Sequence, residues 1–134
     1  MTRRGTAFSL LFGALAGWGC GAGKPPGKPD LPQSVSPGWT LKSYEHADVP
    51  AGVPARVKPE CWRAEYAGPG SATVWACGYA EGSSAFDAMQ RAESEANTVK
   101  FQQDRFLVMV KWNGGSRAEV TALVRGVQKS LKTP

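Results

Sequence analysis

The strongest hydrophobic signal in the chain runs from Phe106 to Trp112, with five consecutive apolar residues before Lys111. Valine, phenylalanine and tryptophan favour a pleated, half-buried surface, so the run predicts a central strand. Alternation places Phe106, Val108, Val110 and Trp112 on one face, and Leu107, Met109 and Lys111 on the other. Asn113-Gly114-Gly115 closes the strand as a turn signal. Two further strands, Cys61 to Tyr66 and Ala72 to Tyr79, flank the turn residues Ala67 to Ser71. Thr98 to Gln102 pairs with the central strand around Gln103-Asp104. A short strand is expected over Gly38 to Tyr44, followed by a proline-punctuated loop from His46 to Pro59.

Helical spacing appears twice. Phe86, Met89, Ala92 and Ala96 recur on one stripe from Ser83 to Ala96, with Ser83 or Ser84 as the cap and Asn97 as the stop. Ser116 and Glu119 form a capping box for a second helix to Lys132, with Val120, Leu123, Val124, Val127 and Leu131 as its apolar stripe. Lys129 and Lys132 suit the negative end of that helix. The order is hairpin, helix, hairpin, helix (ββαββα). It predicts an α+β domain, an antiparallel sheet of four or five strands with two helices on one face.

Register can be argued from facing residues. A five-residue loop in the first hairpin sets Tyr66 opposite Ala72, Ala64 opposite Val74, Trp62 opposite Ala76 and Cys61 opposite Cys77. A loop one residue shorter would flip one strand relative to the other. In the second hairpin, Phe101 would face Phe106 and Val99 would face Val108.

The N-terminal part has a different composition. Arg3 and Arg4 precede an uncharged run of 15 residues, Gly5 to Gly19, with an apolar centre from Phe8 to Phe12. That is short of the ~20 residues of a membrane-spanning helix and fits an export signal. Gly19-Cys20 at its end resembles bacterial lipoproteins, in which the cysteine becomes the first mature residue and carries acyl chains. The resemblance covers about the first 20 residues and implies a membrane anchor at Cys20. Ordinary secretion, with cleavage after Ala16 or Ala22, is the competing reading. Five prolines between Gly21 and Gly38 predict an extended tether. The domain plan is therefore a signal over 1–19, an anchor cysteine and linker over 20–38, and one domain over 39–134.

An exported domain meets an oxidising compartment, and Cys61 and Cys77 remain once Cys20 is set aside. Compartment and register together predict a Cys61–Cys77 disulfide. The net charge is +5, but Arg3 and Arg4 lie in the signal; the other 14 cations against 11 acids leave +3. Without a basic block, that balance argues against a nucleic-acid partner.

Catalytic chemistry finds little to work with. The one histidine, His46, lies near Glu45 and Asp48 with no nucleophile pattern around it. Two cysteines and one histidine do not make a zinc set, and no cofactor or metal motif is present. The expected outer face of the sheet carries Arg63, Trp75, Leu107, Met109 and Lys111, an apolar patch rimmed by cations. Arg63 would face Trp75 at cation–π range. Either this patch binds a partner or the loop from His46 to Pro59 covers it. The leading expectation is a non-catalytic envelope module that binds a protein, glycan or lipid partner. An exported enzyme and a structural subunit of an envelope assembly stand as alternatives.

Overall fold

The computed structural model describes residues 23–54 and 56–132, so the signal segment and Cys20 lie outside the described residues. The elements run β1 (Ser34–Val35), β2 (Trp39–Ala47), β3 (Glu60–Ala67), β4 (Gly70–Gly78), α1 (Gly82–Arg91), β5 (Thr98–Gln103), β6 (Phe106–Gly114) and α2 (Arg117–Leu131). All six strands join one sheet in the order β1-β2-β3-β4-β6-β5, each pair antiparallel. The expected count of four or five strands is corrected to six by β1, and β2 runs past its expected end at Tyr44. The chain stays paired through His46 and Ala47, which the expected loop had claimed. The first proline after β2 is Pro50, and pairing stops just before it.

The first hairpin has the expected register, with Tyr66 opposite Ala72, Trp62 opposite Ala76 and Cys61 opposite Cys77. Cys61 and Cys77 form a disulfide, with their Cα atoms 4.0 Å apart. The second hairpin differs. Gln103 pairs with Phe106, so the loop is Asp104-Arg105, and Phe101 faces Val108 while Val99 faces Val110. Asp104 adopts φ +56°, a left-handed conformation that aspartate tolerates, and this places the turn. Because each partner moves by two residues, the faces are unchanged.

The helices lie on opposite faces of the sheet, where one face had been expected for both. Leu107, Val108, Met109 and Val110 are all buried. Four consecutive buried residues put apolar side chains on both faces, and each face needs a cover. Helix α2 covers the first face through Val120, Leu123, Val127 and Leu131, which pack with Tyr66, Val74, Val108 and Val110. Ser116 and Glu119 form the expected capping box. The Trp39 indole, fully buried, donates to the Glu119 carbonyl at 2.9 Å and fixes the first turn of α2 to β2.

Helix α1 covers the second face together with Val49 and Val53. It is shorter than expected and ends at Arg91, where the Ala92 N–H returns to the Ala88 carbonyl. Its N-cap is Glu81, whose side chain makes no cap bond, rather than Ser83 or Ser84. Asn97 does take φ +54°, but in the turn before β5. Small residues, Ala85 and Ala88, face the sheet, and Phe86 is 47% exposed. The disulfide, Tyr79, Leu107 and Met109 already fill that surface, so a close approach by alanine satisfies the packing.

The proline-rich segment, expected as a free tether, lies on the domain from Gly23 onward. Leu31 is 7% exposed and joins the core under α2. The Tyr66 hydroxyl donates to the Pro32 carbonyl at 2.7 Å, and the Tyr44 hydroxyl donates to that of Pro29. Lys28 reaches the Tyr44 carbonyl at 2.9 Å with its ammonium 4.2 Å from the Tyr44 ring centroid. Proline lacks an N–H, but its carbonyl is a full acceptor. A segment too polar for a core of its own is thus held by tyrosines reaching out from the sheet. Burial, the largest cause, pushes both phenols well above their ordinary range, and Tyr44 is raised further by nearby Tyr66 and Asp30.

Three outcomes are expected. Replacing both cysteines, Cys61→Ala with Cys77→Ala, should lower the unfolding free energy in denaturant titration by about 2–4 kcal/mol, as for other loops near this length. Leu31→Ala should cost about 2–4 kcal/mol as a cavity in the core, and Tyr66→Phe about 1 kcal/mol through its lost hydrogen bond. A detached tether would leave both midpoints unchanged. The raised phenols also make stability fall in alkali. Below pH ~10 both states keep their phenolic protons, and above it the unfolded chain ionises first, favouring unfolding. The melting temperature should therefore drop as the pH rises above ~10, and the Tyr44→Phe/Tyr66→Phe double variant should show a shallower drop.

Candidate functional site

Helix α2 lies toward the β1 side of the sheet, with position 126 against Val35, and leaves part of the edge strand β5 uncovered. The resulting groove, of about 570 Å³, is lined by Val99 of β5, Trp112 of β6 and Val120 and Val124 of α2, with Arg117 and Arg125 along its rim. Among the described residues, no acidic side chain lines it. Val99, Trp112 and Val124 are only half-buried, so apolar surface remains open to a ligand.

The backbone beside the groove is also open. The Trp112 N–H donates to the Asn97 carbonyl at 3.1 Å, which fixes the alternation of the ladder. Val99, Phe101 and Gln103 therefore turn their backbone groups toward β6, and Thr98, Lys100 and Gln102 turn theirs outward. Among the described residues, β5 pairs only with β6. Proteins commonly blunt such an edge with charges or proline. Here the strand has one charge, Lys100, and its ammonium is tied back to the Ala92 carbonyl. Gln102 is likewise folded inward, onto the Gly82 and Asp104 carbonyls.

The face expected from sequence to meet a partner is covered. Leu107 and Met109 are buried, at 1% and 5% exposure, beneath α1 and the Val49 and Val53 side chains. Trp75 is half-buried against the same cluster. Arg63 does lie opposite Trp75, but its guanidinium sits 3.7 Å from Glu45 and 3.8 Å from Glu65. Lys111 is exposed and pairs with Glu95 at 3.6 Å. Trp75, Met109 and Lys111 meet at a small opening of about 180 Å³, narrowed by Pro50, Ala51 and Glu95, while Leu107 is buried and Arg63 does not line that opening. Cys20 lies outside the described residues.

His46 sits on β2, 3.3 Å from Glu60 and edge-on to Trp62. Among the described residues, no three His, Cys, Asp or Glu side chains gather where they could hold a metal ion. No described helix is long and apolar enough to cross a membrane. The groove was missed because Val99, Trp112 and Val124 each read as core residues in their own element. Only the offset of α2 from β5 exposes them. Compared with protein families, with curated proteins and with solved structures, the chain finds no match in any of the three.

Proposed function

We propose that this protein is an exported, non-catalytic binding module, anchored through an acylated Cys20, that takes an extended segment of a partner polypeptide along β5. The observation that carries this reading is the apolar groove lying directly beside an unpaired sheet edge. A strand added to β5 would bond to the outward backbone groups of Thr98, Lys100 and Gln102 and place alternate side chains against Val99, Trp112 and Val124. Arg117 and Arg125 on the rim favour an acidic residue flanking the apolar positions. The Cys61–Cys77 disulfide is compatible with export. The Gly19-Cys20 signal end supports the anchor.

Two measurements check this. Intact mass of the membrane-extracted protein should begin at Cys20 with acyl chains added. An unacylated mass would remove the anchor from the proposal. For the groove, a photoreactive residue at position 99 in the full-length protein should crosslink, in its native envelope, to a polypeptide segment of alternating apolar residues with an acidic flank. Val124→Glu, at a half-exposed position, and Lys100→Pro, which removes an outward N–H, should each abolish that crosslink while leaving the fold intact by circular dichroism. Crosslinks to lipid or glycan alone, or protein crosslinks insensitive to both variants, would overturn the polypeptide reading.

A further inference from the structure

The charge of the folded part is not spread evenly. Arg117, Arg125, Lys129 and Lys132 against Glu119 place a net +3 on α2 and its C-cap. That is the whole +3 left outside the signal segment, because the other ten cations balance ten acids. Helix α2 buries Val120, Leu123, Val127 and Leu131 against the sheet. Arg125, Lys129 and Lys132 stand at i, i+4 and i+7, an exposed strip on its outward side. Arg117 joins the strip from the first turn and, with Arg125, flanks a shallow opening of about 540 Å³. Ala118, Thr121 and Ala122 floor that opening, so no long side chain holds a ligand away from the helix.

Among the described residues nothing neutralises this strip. No ion pair there includes any of the four cations. The one acid of the helix, Glu119, accepts the Ser116 N–H at 2.7 Å as half of the capping box. No acid lines either of the two openings that Arg117 and Arg125 border. Two of the cations also stand where they cost the helix stability. Arg117 occupies the first turn, where the helix dipole disfavours a cation, and Arg125 repels Lys129 at i, i+4. Carboxylates held along the strip would relieve both penalties.

Three kinds of polyanion could meet such a strip, and the surface around it selects one. A helix that lies in a membrane surface offers apolar side chains to the lipid. Single-stranded nucleic acid stacks on aromatic side chains set among the cations. Among the described residues the large hydrophobic side chains that stand exposed are Val57 and Phe86, neither of them on α2. An acidic polypeptide needs neither feature. The strip also borders the β5 groove, since Arg117 and Arg125 line both openings.

We propose that the outward side of α2 binds a run of aspartate and glutamate residues in the same partner whose extended segment adds to β5. The inference rests on the strand-addition reading of the groove and extends its single acidic flank to an acidic tract. Arg117 and Arg125 take the carboxylates nearest the groove through their planar forks. Lys129 and Lys132 continue the strip, with Lys132 about 10 Å beyond Arg125 along the helix. Attraction of this kind speeds encounter, so the helix recruits the partner and the β5 edge holds it.

Two synthetic peptides test this on the full-length protein: alternating valine and threonine with a glutamate tail, and the same peptide with a glutamine tail. The glutamate peptide should bind about tenfold more tightly at low ionic strength, and added salt should remove most of the difference. Lys129→Gln/Lys132→Gln, which leaves every groove residue in place, should cut that preference to about threefold and leave binding of the glutamine peptide unchanged. Carbodiimide coupling to a glutamate oligomer without the strand part reads the helix alone. Its amide crosslinks should concentrate on Lys129 and Lys132 over Lys42 and Lys58, which are also exposed. That arm needs no groove, so loss of the β5 site and loss of the acidic site are separate results. Equal affinity for the two peptides, or crosslinks spread evenly over the exposed lysines, would overturn the acidic site. Tighter binding of oligothymidylate or of phosphatidylglycerol vesicles, lost in the same variant, would overturn the polypeptide in favour of nucleic acid or lipid.

Discussion

The structure depends on the burial of β6 from both sides. Leu107 to Val110 put apolar side chains alternately on opposite faces of the sheet, and neither face can be left to water without losing a large part of the core. One helix per face meets that demand. Helix α2 supplies a wide aliphatic stripe for one face. Helix α1, with alanines at the contact, closes the other over the disulfide, aided by Val49 and Val53.

Everything outward follows from how those covers fit. Helix α2 is fixed at its start by Trp39 and the Glu119 carbonyl, and its position toward the β1 side leaves β5 and Val99 partly bare. Helix α1 is held low by its alanines, which exposes Phe86 and opens a polar cleft beside Arg56. The proline-rich segment fills a third gap, where Leu31 enters the core and Tyr44 and Tyr66 hold its carbonyls. A small domain gains from such an addition because its own surface is large for its volume.

Much of the sheet was legible beforehand because strand period and turn chemistry are local properties. Cys61 opposite Cys77 followed from counting residues on either side of Gly68-Pro69-Gly70. The capping box at Ser116 and Glu119 needed only four residues of sequence. The second hairpin was displaced because Gln103-Asp104 and Asp104-Arg105 are similar in turn preference, and both registers keep the same face apolar. Leu107 and Met109 carried a readable warning: an unbroken apolar run demands burial on two sides. Val99, Trp112 and Val124 gave no such sign, since a half-covered core residue has the same sequence pattern as a fully covered one.

By itself the sequence determined the order of elements from β2 onward, the α+β class, the facing of the two cysteines and the capping of the last helix. Each rests on periodicity or on contacts between residues close along the chain. Only the tertiary structure decided that the helices lie on opposite faces, that the proline-rich segment packs onto the domain, and where apolar and cationic surface stays open. Those features depend on how whole elements fill space against one another. Single-residue patterns carry no record of the offset of α2 from β5 or of the height of α1 above the sheet.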